Sequence, residues 1–205
     1  MEKQLCNKGI ELENDAPKKI LKAALEVVSK EKISGTRMHI IAKEAGMSQA
    51  NLHYHFSTKN DLMVALLESI QEEFSKGRGK YIDKDNKSID ENITGFFEQK
   101  KEDILLNKKT EYAQIDYWVQ GTVNDEIKSK FQTTFDIWRE SIEEVFPKDS
   151  AFYEDEKTKT ILPYIMVSLM MGASLQYLID EGKFDLDDYF EIAKKMIFKE
   201  IKNKI

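Results

Sequence analysis

Residues 36–61, TRMHIIAKEAGMSQANLHYHFSTKND, admit very few folds. Thr36 follows Gly35, and its hydroxyl is placed to cap a first helix by accepting a free amide. Ile40, Ile41 and Ala45 recur at helical spacing and give that helix one apolar face. Gly46 stands where the helix must stop, at a position that often needs a left-handed backbone. Ser48 can then cap a second helix, which carries Gln49, Asn51, His53, Tyr54 and His55 around an inward pair, Leu52 and Phe56. Thr58, with Asp61 three residues on, makes a box-like start for a third, long helix. Two short helices about a glycine-containing turn, the second rich in polar and aromatic side chains, are the signature of a helix-turn-helix. In that motif the second helix lies in the DNA major groove and its early residues meet base edges.

The overall charge of −6 argues against a nucleic-acid partner until it is divided along the chain. Residues 16–60 hold eight Lys/Arg against three Glu, a balance of +5, together with all three histidines. Residues 61–205 hold 21 Lys/Arg against 30 Asp/Glu, a balance of −9. Such asymmetry points to a nucleic-acid partner for the basic part. Only three prolines in 205 residues, a third of them charged, favour helices over a sandwich or barrel. The single cysteine, Cys6, excludes an intramolecular disulfide and fits a reducing cytoplasm. No apolar run marks a signal peptide in residues 1–14. The longest apolar stretch, 161–178, is interrupted by Ser168, Ser174 and Gln176, so no membrane span is expected.

Along the chain, Asp15 and Pro17 suit the start of a helix with an apolar stripe of Ile20, Ala23, Ala24, Val27 and Val28. Its Lys18, Lys19 and Lys22 crowd the end that the helix dipole makes unfavourable for cations. Phosphate contact and a solvated face account for them equally well. The helix from Thr58 runs through Leu62, Leu66, Ile70 and Phe74 to Gly77 and Gly79, each costing about 1 kcal/mol inside a helix, and is expected to end or bend there. Residues 83–94 imitate a calcium loop but put Thr94 where a glutamate is needed, and read as a solvated connection. Helices follow around Phe96 to Leu105, Tyr112 to Val119, Asn124 to Val145, Thr158 or Thr160 to Asp180, and Asp185 to Lys202. The expected fold is all-α with about nine helices. Residues 1–14 form a leader, 15–60 a three-helix head, 61–82 a connecting helix and 83–205 a helical body.

Enzyme chemistry finds no support: there is no nucleophile elbow, no carboxylate pair in a defined context and no Cys/His cluster. His53 and His55 lie about 200° apart on a helix, the wrong geometry for a shared metal. No cofactor or metal is expected. The residues instead suit a groove. The amides of Gln49 and Asn51 can pair bidentately with adenine, and His53 or Tyr54 can meet a base edge or a thymine methyl. Thr36, Arg37, Tyr54, His55 and Lys59 suit phosphates, and Ser48 opens the same helix.

The run GTRMHIIAKEAGMSQANLHYHFSTKNDLM closely resembles the DNA-binding segment of the TetR family of transcriptional regulators, with His53 where that family more often has tyrosine. The resemblance is strong over residues 16–70. It implies a two-fold dimer on a palindromic operator, paired through the last two helices. Tyr164, Leu169, Gly172, Ala173, Leu175, Ile192 and Met196 are candidates for that surface, although some could equally be core. It also implies a small-molecule cavity in the body, for which Phe97, Tyr112, Tyr117, Trp118, Phe135, Trp138, Met170 and Tyr177 are candidates. Residues 116–146 have a slighter resemblance to choline-responsive members, and aromatic faces attract quaternary ammonium. The expectation is a cytoplasmic, ligand-responsive repressor. The competing class is a helical protein-interaction module whose head merely resembles a DNA reader.

Overall fold

A computed structural model describes residues 16–148 and 155–202, so the leader, Cys6 and the Asp15 cap lie outside the described residues. These residues form nine α-helices: α1 Ala16–Gly35, α2 Met38–Glu44, α3 Gln49–His55, α4 Lys59–Arg78, α5 Ile89–Leu106, α6 Lys108–Gln120, α7 Asp125–Glu143, α8 Glu156–Ile179 and α9 Leu186–Lys202. The expected caps are present at three starts. Ser48 accepts from the Asn51 amide, Thr58 and Asp61 complete a capping box, and Asn124 accepts from Glu126 and Ile127. α4 ends at Arg78 with Gly79 as its cap, where its two glycines led one to expect an end. α8 starts at Glu156, earlier than expected, because Asp155 supplies the cap.

Two apolar cores are built. The first gathers the stripe of α1, Ile41 and Ala42 of α2, Leu52 of α3 and seven residues of α4 from Leu62 to Phe74. It does not close at the expected boundary near residue 60. Ala113 and Tyr117 of α6, and Ile127 and Phe131 of α7, complete it. The second core joins α5, α8, α9 and the end of α7, and Phe135 packs against both. Head and body therefore share apolar surface, the main driving force of their association.

Polar groups tie the pieces where apolar burial alone would leave register loose. Lys100 of α5 donates to both carboxylate oxygens of Glu111 of α6 at 2.8 and 2.7 Å, and Ser174 of α8 donates to the same carboxylate at 2.6 Å. All three are buried. The connection after α4 is largely exposed, as expected, but it is tied down at one buried residue. Asn92, fully buried, accepts from the Asp83 amide and donates to the carbonyls of Asp83 and Lys87. Gly95 presses so closely on this loop that a Cβ there would lie 2.4 Å from the Tyr81 carbonyl oxygen.

α8 corrects another expectation. By length and composition it is apolar enough to cross a membrane, with 44% of the qualifying window buried inside the chain. The serines and Gln176 do not lower its hydropathy enough to matter. Its outward residues include Ile161, Tyr164, Ile165, Leu175 and Ile179, and α9 adds Ile192 and Met196.

Three stability outcomes follow from this architecture. Lys32 holds φ 60° and ψ 165°, a region that only glycine adopts without strain, so Lys32→Gly should stabilise the fold by about 1 kcal/mol. Gly95→Ala should destabilise it by about 1–3 kcal/mol, since backbone rather than a flexible side chain must yield. Thermal melts read both, at about 2–4 °C per kcal/mol for a chain of this size. Burial pushes the Asp103 carboxyl up to about 6, against the opposing pull of Lys100. The folded chain then binds this proton more tightly than the unfolded one, and Asp103 contributes stability as pH falls from 7 through 6. Asp103→Asn should raise the melting temperature at pH 7.5 and flatten its dependence between pH 5 and 7.

Candidate nucleic-acid interface

α2 ends through Ala45, and Gly46 follows with φ +63°, the left-handed turn that the sequence called for. The Met47 amide donates to the Ala42 carbonyl and closes the turn. α3 is then anchored by Leu52, 0% exposed, with Met47 and Phe56 packed partly against the same core. Phe56 is only half-buried, less than its expected partnership with Leu52 suggested.

The opposite face of α3 is open. Ser48, Gln49, Asn51, His53 and Tyr54 are exposed, Tyr54 at 84%, while His55 is half-buried with its ring edge-on to Tyr54 at 5.1 Å. The Gln49 amide nitrogen stands 3.4 Å from His53 Nε2, and His53 Nδ1 is 3.2 Å from the Ser57 carbonyl oxygen. A carbonyl oxygen can only accept, so Nδ1 donates to Ser57. Gln49, Asn51 and His53 thus present amide and imidazole groups on one surface, the chemistry that reads base edges.

Two of the expected phosphate contacts are differently placed. Thr36 is 0% exposed and its hydroxyl donates to the Lys32 carbonyl at 2.7 Å. It neither caps α2, whose N-cap position is Arg37 without a side-chain bond, nor presents a group to solvent. A Thr following a Gly looks like a cap in sequence, and the kink at Lys32 turns it inward. Lys59 is half-buried and donates to the Ile33 carbonyl at 2.5 Å. Burial, and then the nearby Arg37, hold its pKa below the usual lysine range. Arg37 is exposed and folds back on the carbonyls of Ser34, Gly35 and Thr36. Sequence reading passed over His39, Lys43 and Ala50, all exposed on or beside this surface. Their signal was present: His39 and Lys43 are four apart on α2, and a small apolar residue on α3 can meet a thymine methyl.

In the body, the expected pocket residues separate. Phe97 is core, stacked on Phe190 at 4.9 Å, and Tyr117 is core with its hydroxyl donating to the Met63 carbonyl at 2.7 Å. Tyr112 donates to the Leu178 carbonyl, and Tyr177 lies edge-on to Phe184. Trp138 and Met170 line a narrow cavity between α4, α5, α7 and α8. Trp118 and Phe135 line a wider groove of about 420 Å³ with Arg139, Tyr164 and Leu175. Arg139 lies 4.3 Å from the Tyr164 ring centroid there. Of the expected dimer residues, Tyr164, Leu175, Ile192 and Met196 face outward, and Leu169 and Gly172 are half-buried. Ala173 is fully buried within the chain and cannot face a partner, because it sits on the inner side of α8.

Residues 20–66 match the family described as bacterial regulatory proteins, tetR family. The HTH-type transcriptional regulator RutR of Escherichia coli K12 is 45% identical over 53 residues, 26% of this chain and a quarter of that protein's length. The whole fold is shared more widely. A TetR transcription regulator from Haloarcula marismortui superposes with a TM-score of 0.74 at 17% identity, over 93% of this chain and 98% of that one. A transcriptional regulator from Saccharomonospora viridis, solved in complex with choline, gives 0.74 at 20% identity over 90% and 96%. These last two likenesses concern the fold alone. Residues 20–66 therefore carry the segment that the tetR family model describes, on a fold that solved regulators share.

Proposed function

We propose that the chain is a DNA-binding transcriptional regulator of the cytoplasm that pairs on a palindromic operator and is released from it by a small molecule. The observation that carries the reading is α3: Leu52 is locked into the core while Gln49, Asn51, His53 and Tyr54 stand free on the other side. The basic head supplies the electrostatic attraction to phosphates and the acidic remainder stays away from them. Arg37 and Lys43 take the positioning role, and Gln49 and Asn51 the base-reading one.

One α3 reads only a few base pairs, and a two-fold pair doubles the site. The exposed apolar residues of α8 and α9 are the surface for that pairing, which also accounts for a long apolar helix in a chain of this kind. A ligand in the body would act by favouring a spacing of the two heads that misfits successive major grooves, through its different affinity for the two spacings. α4 and α6 both reach from body to head and carry such a shift.

Selection of a binding site from random duplexes, followed by gel shifts across a salt series, tests the reading. Specific binding should weaken steeply with salt. Asn51→Ala should cost about 1–3 kcal/mol and relax base preference, whereas Arg37→Ala should weaken all sequences alike and reduce the salt slope by about 1. Salt-insensitive or absent binding would favour the protein-interaction module instead. Replacing Leu175 and Ile192 together by glutamate should yield a monomer in sedimentation and abolish binding to the full palindrome. A double variant that still dimerises refutes the α8–α9 interface.

A further inference from the structure

The narrow cavity between α4, α5, α7 and α8 holds a positive charge that its surroundings do not balance. Its walls are aromatic and apolar where Phe74, Phe96, Trp138 and Met170 meet. Four polar side chains also line it, and each has a partner within the chain. Gln99 donates to the Phe74 carbonyl at 2.8 Å, Lys100 is held by both oxygens of Glu111, and Asp103 accepts from Asn107. Arg78 differs. Its Nη1 donates to Ser141 Oγ at 2.9 Å, but its Nε–H is buried without an acceptor. No ion pair to a carboxylate is formed by this guanidinium among the described residues. Burial accordingly holds its pKa below the usual arginine range.

A buried donor without an acceptor is destabilising, and here it belongs to a half-buried guanidinium that no carboxylate pairs. A water could satisfy the donor but not the charge. An anionic oxygen does both, and arginine presents its fork to carboxylates in this way. A cation of the choline type is poorly served here despite the aromatic walls. It would sit beside the unpaired Arg78, and the Glu111 carboxylate that could attract it is already engaged by Lys100 and Ser174.

We propose that the effector is a small organic carboxylate with an apolar or aromatic tail, its carboxylate accepting from Arg78 Nε–H and its tail packing on Phe74, Phe96 and Trp138. The assignment rests on the reading of the chain as an effector-controlled regulator. As it stands the cavity offers about 30 Å³, room for about two waters. A carboxylate with a tail therefore enters only by moving α4 from α7, the two helices that Arg78 and Ser141 join. Arg78 is the last residue of α4, and the first turn of α4 lies against the head. Binding and displacement of α4 are one event.

The test uses the full chain, with benzoate, phenylacetate and hexanoate as probes, the matching amides as neutral isosteres, and choline as the cation. Calorimetry and thermal shift read the binding. At least one acid should bind about tenfold or more tightly than its amide and than choline, the difference expected of a hydrogen bond to a charged group. Arg78→Gln should remove the preference for acid over amide, while Trp138→Ala should weaken both alike. Binding of amide equal to acid, choline binding tighter than every acid, or no binding by any acid overturns the proposal. So does an acid preference that survives Arg78→Gln. If that variant does not fold, the comparison of acid with amide on the unaltered chain decides. Acid-indifferent protein that still binds its selected duplex sinks this inference alone, whereas failure to bind any duplex specifically sinks the regulator reading.

Discussion

Three helices meet at the backbone of one residue. The Ile33 amide donates to Asp116 of α6 at 2.5 Å, its carbonyl accepts from Lys59 at the start of α4, and its side chain is buried in the first core. The preceding residue, Lys32, holds the left-handed backbone that turns the end of α1 toward the short helices α2 and α3. A strained conformation persists only where its surroundings over-determine it, and here the two side-chain bonds and a buried isoleucine do so. At the next residue of α6, the Tyr117 hydroxyl donates to the Met63 carbonyl of α4. The orientation of α3 is therefore fixed by a clamp whose two jaws belong to α4 and α6, and α6 belongs as much to the body as to the head.

That clamp explains why a division at residue 60 describes the charge but not the packing. The basic segment ends where the sequence says it does, because charge is a property of residues. The apolar core continues, because α4 alone does not cover α1. Tyr117, fully buried and with its hydroxyl pushed well above the usual tyrosine range by burial, fills the space that remains. A phenol is suited to that place because its ring is apolar and its one polar atom finds a carbonyl.

What the sequence showed and what it concealed divide by distance along the chain. Ser48, the Thr58–Asp61 box, Asn124 and Gly46 act over three or four residues, so their roles could be read directly. The left-handed Lys32 could not, since lysine carries no sign of such a backbone. Thr36 was misread for the same reason: its environment depends on that turn. Asn92 sits at a helical position that looks solvated, yet binds a loop nine residues back. Ala173, Phe97 and Tyr117 show the limit of periodicity, which identifies an apolar face without saying which neighbour covers it. The recognition face needed no such knowledge, because a single inward residue, Leu52, orients the whole of α3.

The same limit applies to α8 and can be overcome there by geometry. Ile161, Tyr164, Ile165, Leu175 and Ile179, with Ser168 and Gly172 between them, fall within about 120° of the helix circumference. Leu162, Met166, Met170, Ala173 and Ser174 occupy the other side and are buried, Ser174 in a bond to Glu111. A lipid-facing helix needs apolar residues wherever lipid reaches, whereas one stripe beside a committed inner face fits a single helical neighbour. If a second copy is that neighbour, the two-fold axis runs near α8, and the separation of the two α3 helices becomes a property of how α4 and α6 sit against α8. The bond between Arg78 and Ser141 then gains a role beyond stability. It is the tie through which the far end of α4, about 30 Å from its first turn, is referred to the body.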